Sequence, residues 1–100
     1  MAQSTRNKEG EGSDGRVSAL ELTIAAKRAV EDLTDYRPES VSGLQWDGET
    51  WLVSVEVCEL RRVPNTTDVM ATYVVQLDDR GGLLGYKREH RYLRADAQER

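Results

Sequence analysis

A chain of 100 residues carrying 14 basic and 18 acidic side chains, with a net charge of −4, has room for one domain and a charge that favours solubility more than any particular partner. No run of 18 or more apolar residues is present to span a membrane, and the N-terminus lacks the apolar core of a secretory signal, so the expectation is a cytoplasmic protein. Cys58 stands alone, which excludes an intramolecular disulfide and a thiolate zinc site.

Residues 1–16 hold no apolar side chain larger than alanine apart from Met1. Such a stretch buries too little surface to offset its ordering entropy, so it reads as a disordered tail, followed by a domain over 17–95 and a short polar tail over 96–100. A domain of this size has a thin core.

The first element is a helix. Ser18 is followed three residues later by Glu21, the spacing of a capping box, and Leu22, Ala25, Ala26, Ala29, Val30 and Leu33 recur at three- and four-residue steps. Leu20 and Ile24 widen that stripe. Pro38 sets the latest end of the helix, because the residue before a proline is pushed out of helical geometry.

After Pro38 the apolar period changes from 3.6 to 2. "ESVSGLQW" reads as a strand and Asp47–Gly48 as the turn that follows it. In "TWLVSVEVCEL", Trp51, Val53, Val55 and Val57 share one face, with Leu52, Ser54, Glu56 and Cys58 on the other. Pro64 and Asn65-Thr66-Thr67 mark a loop, "DVMATYVVQLD" continues the sheet, and "DDRGG" turns the chain again. Strict alternation in the last strand puts Leu84, Tyr86, Arg88, His90 and Tyr92 on one side and Lys87, Glu89, Arg91 and Leu93 on the other. Short connections favour antiparallel neighbours, so the expected fold is α+β, one N-terminal amphipathic helix packed on a four-stranded antiparallel meander.

Charge is segregated along this frame. Asp47, Glu49, Glu56 and Glu59 lie in a stretch without a base, whereas Arg80, Lys87, Arg88, Arg91 and Arg94 dominate the C-terminal strand. Glu59 is out of phase with Glu56: alternation aims it inward with the valines, so either the strand ends or bulges near Cys58, or Glu59 is a covered carboxylate in need of a cation. Arg88 shares its expected face with Leu84 and Tyr86 and is open to three readings: structural pairing, partner binding, or plain solvation. Glu56, Glu59 and Arg88 are the candidates for structural charge pairing, with Arg91 as a further cation for Glu56 and Glu59. Arg61, Arg62, Pro64, Asp68, Lys87 and Arg91 are the candidates for contact with a partner.

Nothing points to an enzyme. His90 is the only histidine and sits between Glu89 and Arg91, and the chain has no phosphate-binding glycine loop, nucleophile motif or metal-ligand cluster, so no cofactor is expected. A nucleic-acid module is the stronger rival, with Lys87, Arg88, Arg91 and Arg94 interleaved with Tyr86 and Tyr92. Net acidity and two tyrosines on a partly covered face count against it.

Residues 51–94 carry an ordered set: Trp51, Glu56, Glu59, Arg62, Pro64, Asp68, Ala71, Tyr73, Leu77 and Asp78, then Gly82, Tyr86, Arg88, Arg91 and Tyr92. In this order and spacing the set resembles the gas vesicle accessory protein family GvpO, with one departure at Val74, where the pattern favours an acid after the tyrosine. The resemblance implies a non-catalytic accessory protein of gas vesicle formation, the assembly of the gas-filled protein shells that give some bacteria and archaea buoyancy. It implies contacts with other gas vesicle proteins, a cytoplasmic location free or on vesicles, and an alternative role in expression of the shell protein. A homodimer is compatible with it.

Overall fold

In a computed structural model, residues 17–98 are described, and the tail expected over 1–16 lies outside the described residues. Ser18 begins helix α1, Ala19–Thr34: its hydroxyl accepts from the Glu21 amide at 3.1 Å while the Glu21 carboxylate accepts from the Ser18 amide at 2.9 Å. The reciprocal pair satisfies two amides that the first turn leaves free. The helix closes at Asp35, whose φ of 68° is the left-handed geometry that a short polar side chain tolerates.

Four strands follow: β1, Pro38–Trp46; β2, Trp51–Leu60; β3, Val69–Leu77; and β4, Leu83–Leu93. They pair antiparallel in the order β1-β2-β3-β4, the expected meander. At the first turn Asp47 accepts from the amides of Glu49 and Thr50, and Gly48 takes a φ of 103°. At the last turn Asp78 accepts from the amides of Arg80 and Gly82, and its carboxylate lies so close to Gly82 that a Cβ there would meet it at 2.7 Å. Beyond β4 the chain turns into a short helix, α2, Arg94–Gln98.

Val53, Val55 and Val57 of β2 and Ala71, Tyr73, Val75 and Leu77 of β3 are buried under Leu22, Ala26 and Val30 of α1. The helix meets the sheet through the row Leu22, Ala26 and Val30 at four-residue steps, flanked by the half-buried Ala25 and Ala29. Leu20 and Ile24, read as a widening of the stripe, are exposed. Ile24 lies two residues from both Leu22 and Ala26, roughly 200° around the axis, which turns it to the far side. Leu33 is also exposed, in the last turn. The helix packs on β1, β2 and β3 and touches β4 least.

The register shifts at five places across the sheet, and two of these bulges reset the faces of the charged side chains. Cys58 pairs with Met70 and Leu60 with Val69, so Glu59 is an extra residue in β2. In β4, Arg88 pairs with Tyr73 and His90 with Thr72, so Glu89 is an extra residue. The second bulge corrects the expected alternation of the last strand. Tyr86 and Arg88 point to the helix side with Val75 and Tyr73, and beyond the bulge Arg91 and Leu93 join them, opposite Ala71 and Val69. His90 and Tyr92 take the other face, opposite Thr72 and Met70. Tyr86 and Tyr92 are thus on opposite faces.

Candidate functional site

Three carboxylates organise the charge of this domain, each in its own cluster. The first is Glu59. The bulge turns its side chain to the helix side, where it is 1% exposed and accepts from Arg91 Nε at 2.7 Å, from Arg88 Nη1 at 3.2 Å and from the Tyr73 hydroxyl at 3.1 Å. Burial alone would raise its pKa, but the hydrogen bonds from Arg91, Arg88 and Tyr73 overcome this and hold the carboxyl below its ordinary value. Burial and the Glu59 hydrogen bond push the Tyr73 phenol up. Arg88 and Arg91 reach inward from the rim, with side chains 45% and 58% exposed.

The second is Asp68, at the entry to β3. The residue is 2% exposed and accepts from the Arg62 amide at 2.7 Å and from Arg94 at 3.1 Å. Its carboxyl is held low, chiefly by the Arg62 amide and, against burial, by Arg94. Arg94 also grips Glu39 through two bonds of 3.1 and 2.9 Å, and its own amide donates to the Asp68 carbonyl at 3.0 Å. One guanidinium thus ties the start of β1, the entry to β3 and the exit of β4. Asp68 was expected at a partner surface, but both its oxygens are spent inside the fold.

Glu56 forms the third cluster, on the face that α1 leaves bare. Its carboxylate accepts from the hydroxyls of Ser42, Thr72 at 2.7 Å and Tyr92 at 2.6 Å. The pairing expected with Arg88 and Arg91 does not form, because both arginines are on the opposite face. Burial and the Glu56 hydrogen bond raise the Tyr92 phenol well above its ordinary value. Around this cluster runs an open groove of about 610 Å³, with Glu39, Ser54, His90 and Arg94 among its lining.

The loop from β2 to β3 remains at the surface. Arg61, Arg62 and Pro64 are exposed, and Val63 between them is 99% exposed. Asp68 anchors this loop from beneath through the Arg62 amide, and a single 3-10 turn, Asn65–Thr67, closes it with a bond from the Thr67 amide to the Pro64 carbonyl at 3.1 Å. Lys87 is exposed on β4. Sequence reasoning missed Glu39 as a partner of Arg94, and no local signal marks a pair 55 residues apart. Among the described residues no group of three His, Cys, Asp or Glu side chains is placed to hold a metal ion, and no helix is long and apolar enough to cross a membrane. What the arrangement offers chemically is fixed charge at a surface.

The family model described as gas vesicle synthesis protein GvpO matches residues 5–98. The chain is 40% identical over 77 residues to a gas vesicle protein O of Streptomyces sp. strain CB03234, covering 77% of this chain and 60% of that protein. It is 30% identical over 87 residues to gas vesicle protein O of Haloferax mediterranei, covering 86% and 62%. Against gas vesicle protein O1 of Halobacterium salinarum the identity is 35% over 74 residues, covering 74% and 62%. The chain thus spans about three-fifths of the length of these relatives. No solved structure gives a significant match.

Proposed function

The chain belongs to the gas vesicle synthesis protein GvpO family, and we propose that it serves gas vesicle formation as a non-catalytic accessory protein acting through contacts with other gas vesicle proteins. The observation that carries this reading is the family match across residues 5–98. The contact mechanism draws its support from the loop of Arg61, Arg62, Val63 and Pro64, which is exposed at its tip yet held from beneath by the buried Asp68 carboxylate. A loop already fixed in shape loses little freedom on docking, so its charges serve recognition at low ordering cost. On β4, Arg91 is exposed on the helix side and Lys87 on the opposite face, so each adds a cation to its own face.

The rival reading, a nucleic-acid module, has less support. Of its four cations, Arg94 is tied to Glu39 and Asp68, and Arg88 and Arg91 share the single Glu59 carboxylate, so the strand presents less free charge than its four bases suggest. Its two tyrosines face opposite ways, so they offer no common stacking platform. A cytoplasmic location, free or on vesicles, and contact with the shell protein or minor vesicle proteins belong to the same proposal.

The test is a count of gas vesicles by electron microscopy in cells that carry a complete vesicle gene cluster, with this chain removed and then restored. Loss and recovery of vesicles at unchanged shell-protein level supports the assembly role. Unchanged vesicle numbers contradict it, and loss of the shell protein itself moves the expression role ahead.

A further inference from the structure

The bulge at Glu89 leaves an unusual row along β4. Tyr86, Arg88, Arg91 and Leu93 stand opposite Val75, Tyr73, Ala71 and Val69, so they follow one another at alternate ladder positions on a single face. That face is the one α1 covers, but the helix sits mainly over β1 to β3 and touches β4 least. Tyr86 is 43% and Leu93 40% exposed, and the two arginines between them are about half exposed. The row reads aromatic, cation, cation, aliphatic.

The cations carry unspent charge. Glu59 supplies one negative charge to two guanidinium groups. Among the described residues, Arg88 bonds through Nη1 alone and Arg91 through Nε alone. The other N–H groups of both side chains have no partner among the described residues, while the buried carboxylate and the Tyr73 hydroxyl hold the inner edge of the pair in place. Guanidinium groups positioned in this way take a second carboxylate with little loss of rotamer freedom.

We infer that the Tyr86–Arg88–Arg91–Leu93 row is a docking site for an acidic segment of a partner protein, with two carboxylates at alternate positions and an apolar side chain at each end. Charge complementarity selects the acids, and the half-exposed Tyr86 and Leu93 select a polypeptide over a phosphate chain. The bulge at Glu89 and the run of charged residues in β4 oppose backbone pairing at this edge, so recognition is through side chains. This inference sharpens the proposed contact role by naming a partner chemistry, but its test is independent of vesicles.

The experiment is a titration of the full chain, 15N-labelled, with N-acetyl-Leu-Ser-Glu-Ser-Glu-Ser-Leu-amide, following arginine side-chain Nε–H signals by NMR. Saturable shifts at Arg88 and Arg91, with Arg61, Arg62 and Arg80 unmoved, are the expected result. Replacement of both glutamates of the peptide by glutamine, or R91Q in a protein that melts as the wild type does, should weaken binding about tenfold. If R91Q does not fold, the peptide replacement alone decides. Uniform shifts over all arginines overturn the inference. So does equal binding of the glutamine peptide, or displacement of the acidic peptide by equimolar inorganic phosphate or a single-stranded oligonucleotide. A negative result here with vesicle loss in the deletion count would leave the accessory role standing.

Discussion

Glu59 and Arg91 are 32 residues apart in the chain and 2.7 Å apart in space, and they meet because Glu59 is itself an extra residue in β2 and the extra residue at Glu89 turns Arg91 to the same face. Without the bulge at Glu89, Arg91 would point away from Arg88; with it, both arginines converge on one carboxylate. The charged stretch inside this small sheet is therefore part of how its strands are held in register.

Glu59→Gln should lower stability by about 1–3 kcal/mol, between the small worth of an exposed pair and the larger cost of breaking a fully buried one, since Glu59 is covered but its arginines are half exposed. Urea denaturation checks this. The slope with denaturant should be unchanged, since the same surface is exposed on unfolding.

Acid should undo the same interaction. The Glu59 carboxyl is held below its ordinary value of 4.5 and Asp68 below 3.8, so in that range the unfolded chain binds more protons than the folded one. Their stabilisation is complete above these ordinary values and is lost as pH falls through the lower folded ones. Melting curves from pH 7 down to pH 3 should show this loss, and E59Q should show a shallower fall than the wild type.

At high pH the sign reverses. Tyr73 and Tyr92 are raised above the ordinary value of 10.0, so their contribution is present below that pH and is lost as pH rises through their folded values. Absorbance at the phenolate band should show both tyrosines ionising together with unfolding seen by circular dichroism. Y92F should remove one of these late titrations.

Arg62 and Arg94 should separate cleanly. Arg62→Glu changes an exposed side chain and keeps the backbone amide that holds Asp68, so the melting temperature should move by less than about 2 °C. Arg94→Gln removes the guanidinium shared by Glu39 and Asp68 and should lower melting by more than about 5 °C. Calorimetry on both variants decides the order.

Much of the fold is legible locally. Ser18 with Glu21 announces the helix start, Asp47–Gly48 and Asp78–Gly82 announce turns, and the period-2 valines of β2 announce the core face. Bulges are not legible in this way. One extra residue at Glu89 leaves no mark in composition, yet it moves every later side chain of β4 to the other face, which is why Tyr92 and Arg91 were misassigned by strict alternation. Glu59 is the exception: its acid on an inward phase signals either a bulge or a covered carboxylate, and both are present. The grip of Arg94 on Glu39 joins the two ends of the domain, and no spacing rule reaches that far.

The most direct measurement is a vesicle count in cells where the only copy of this chain carries Arg61→Glu and Arg62→Glu, after its melting temperature has been matched to the wild type. A sharp loss of vesicles at normal shell-protein level is the predicted result. Wild-type vesicle numbers from that folded variant would contradict a role exerted through the Asp68-anchored loop.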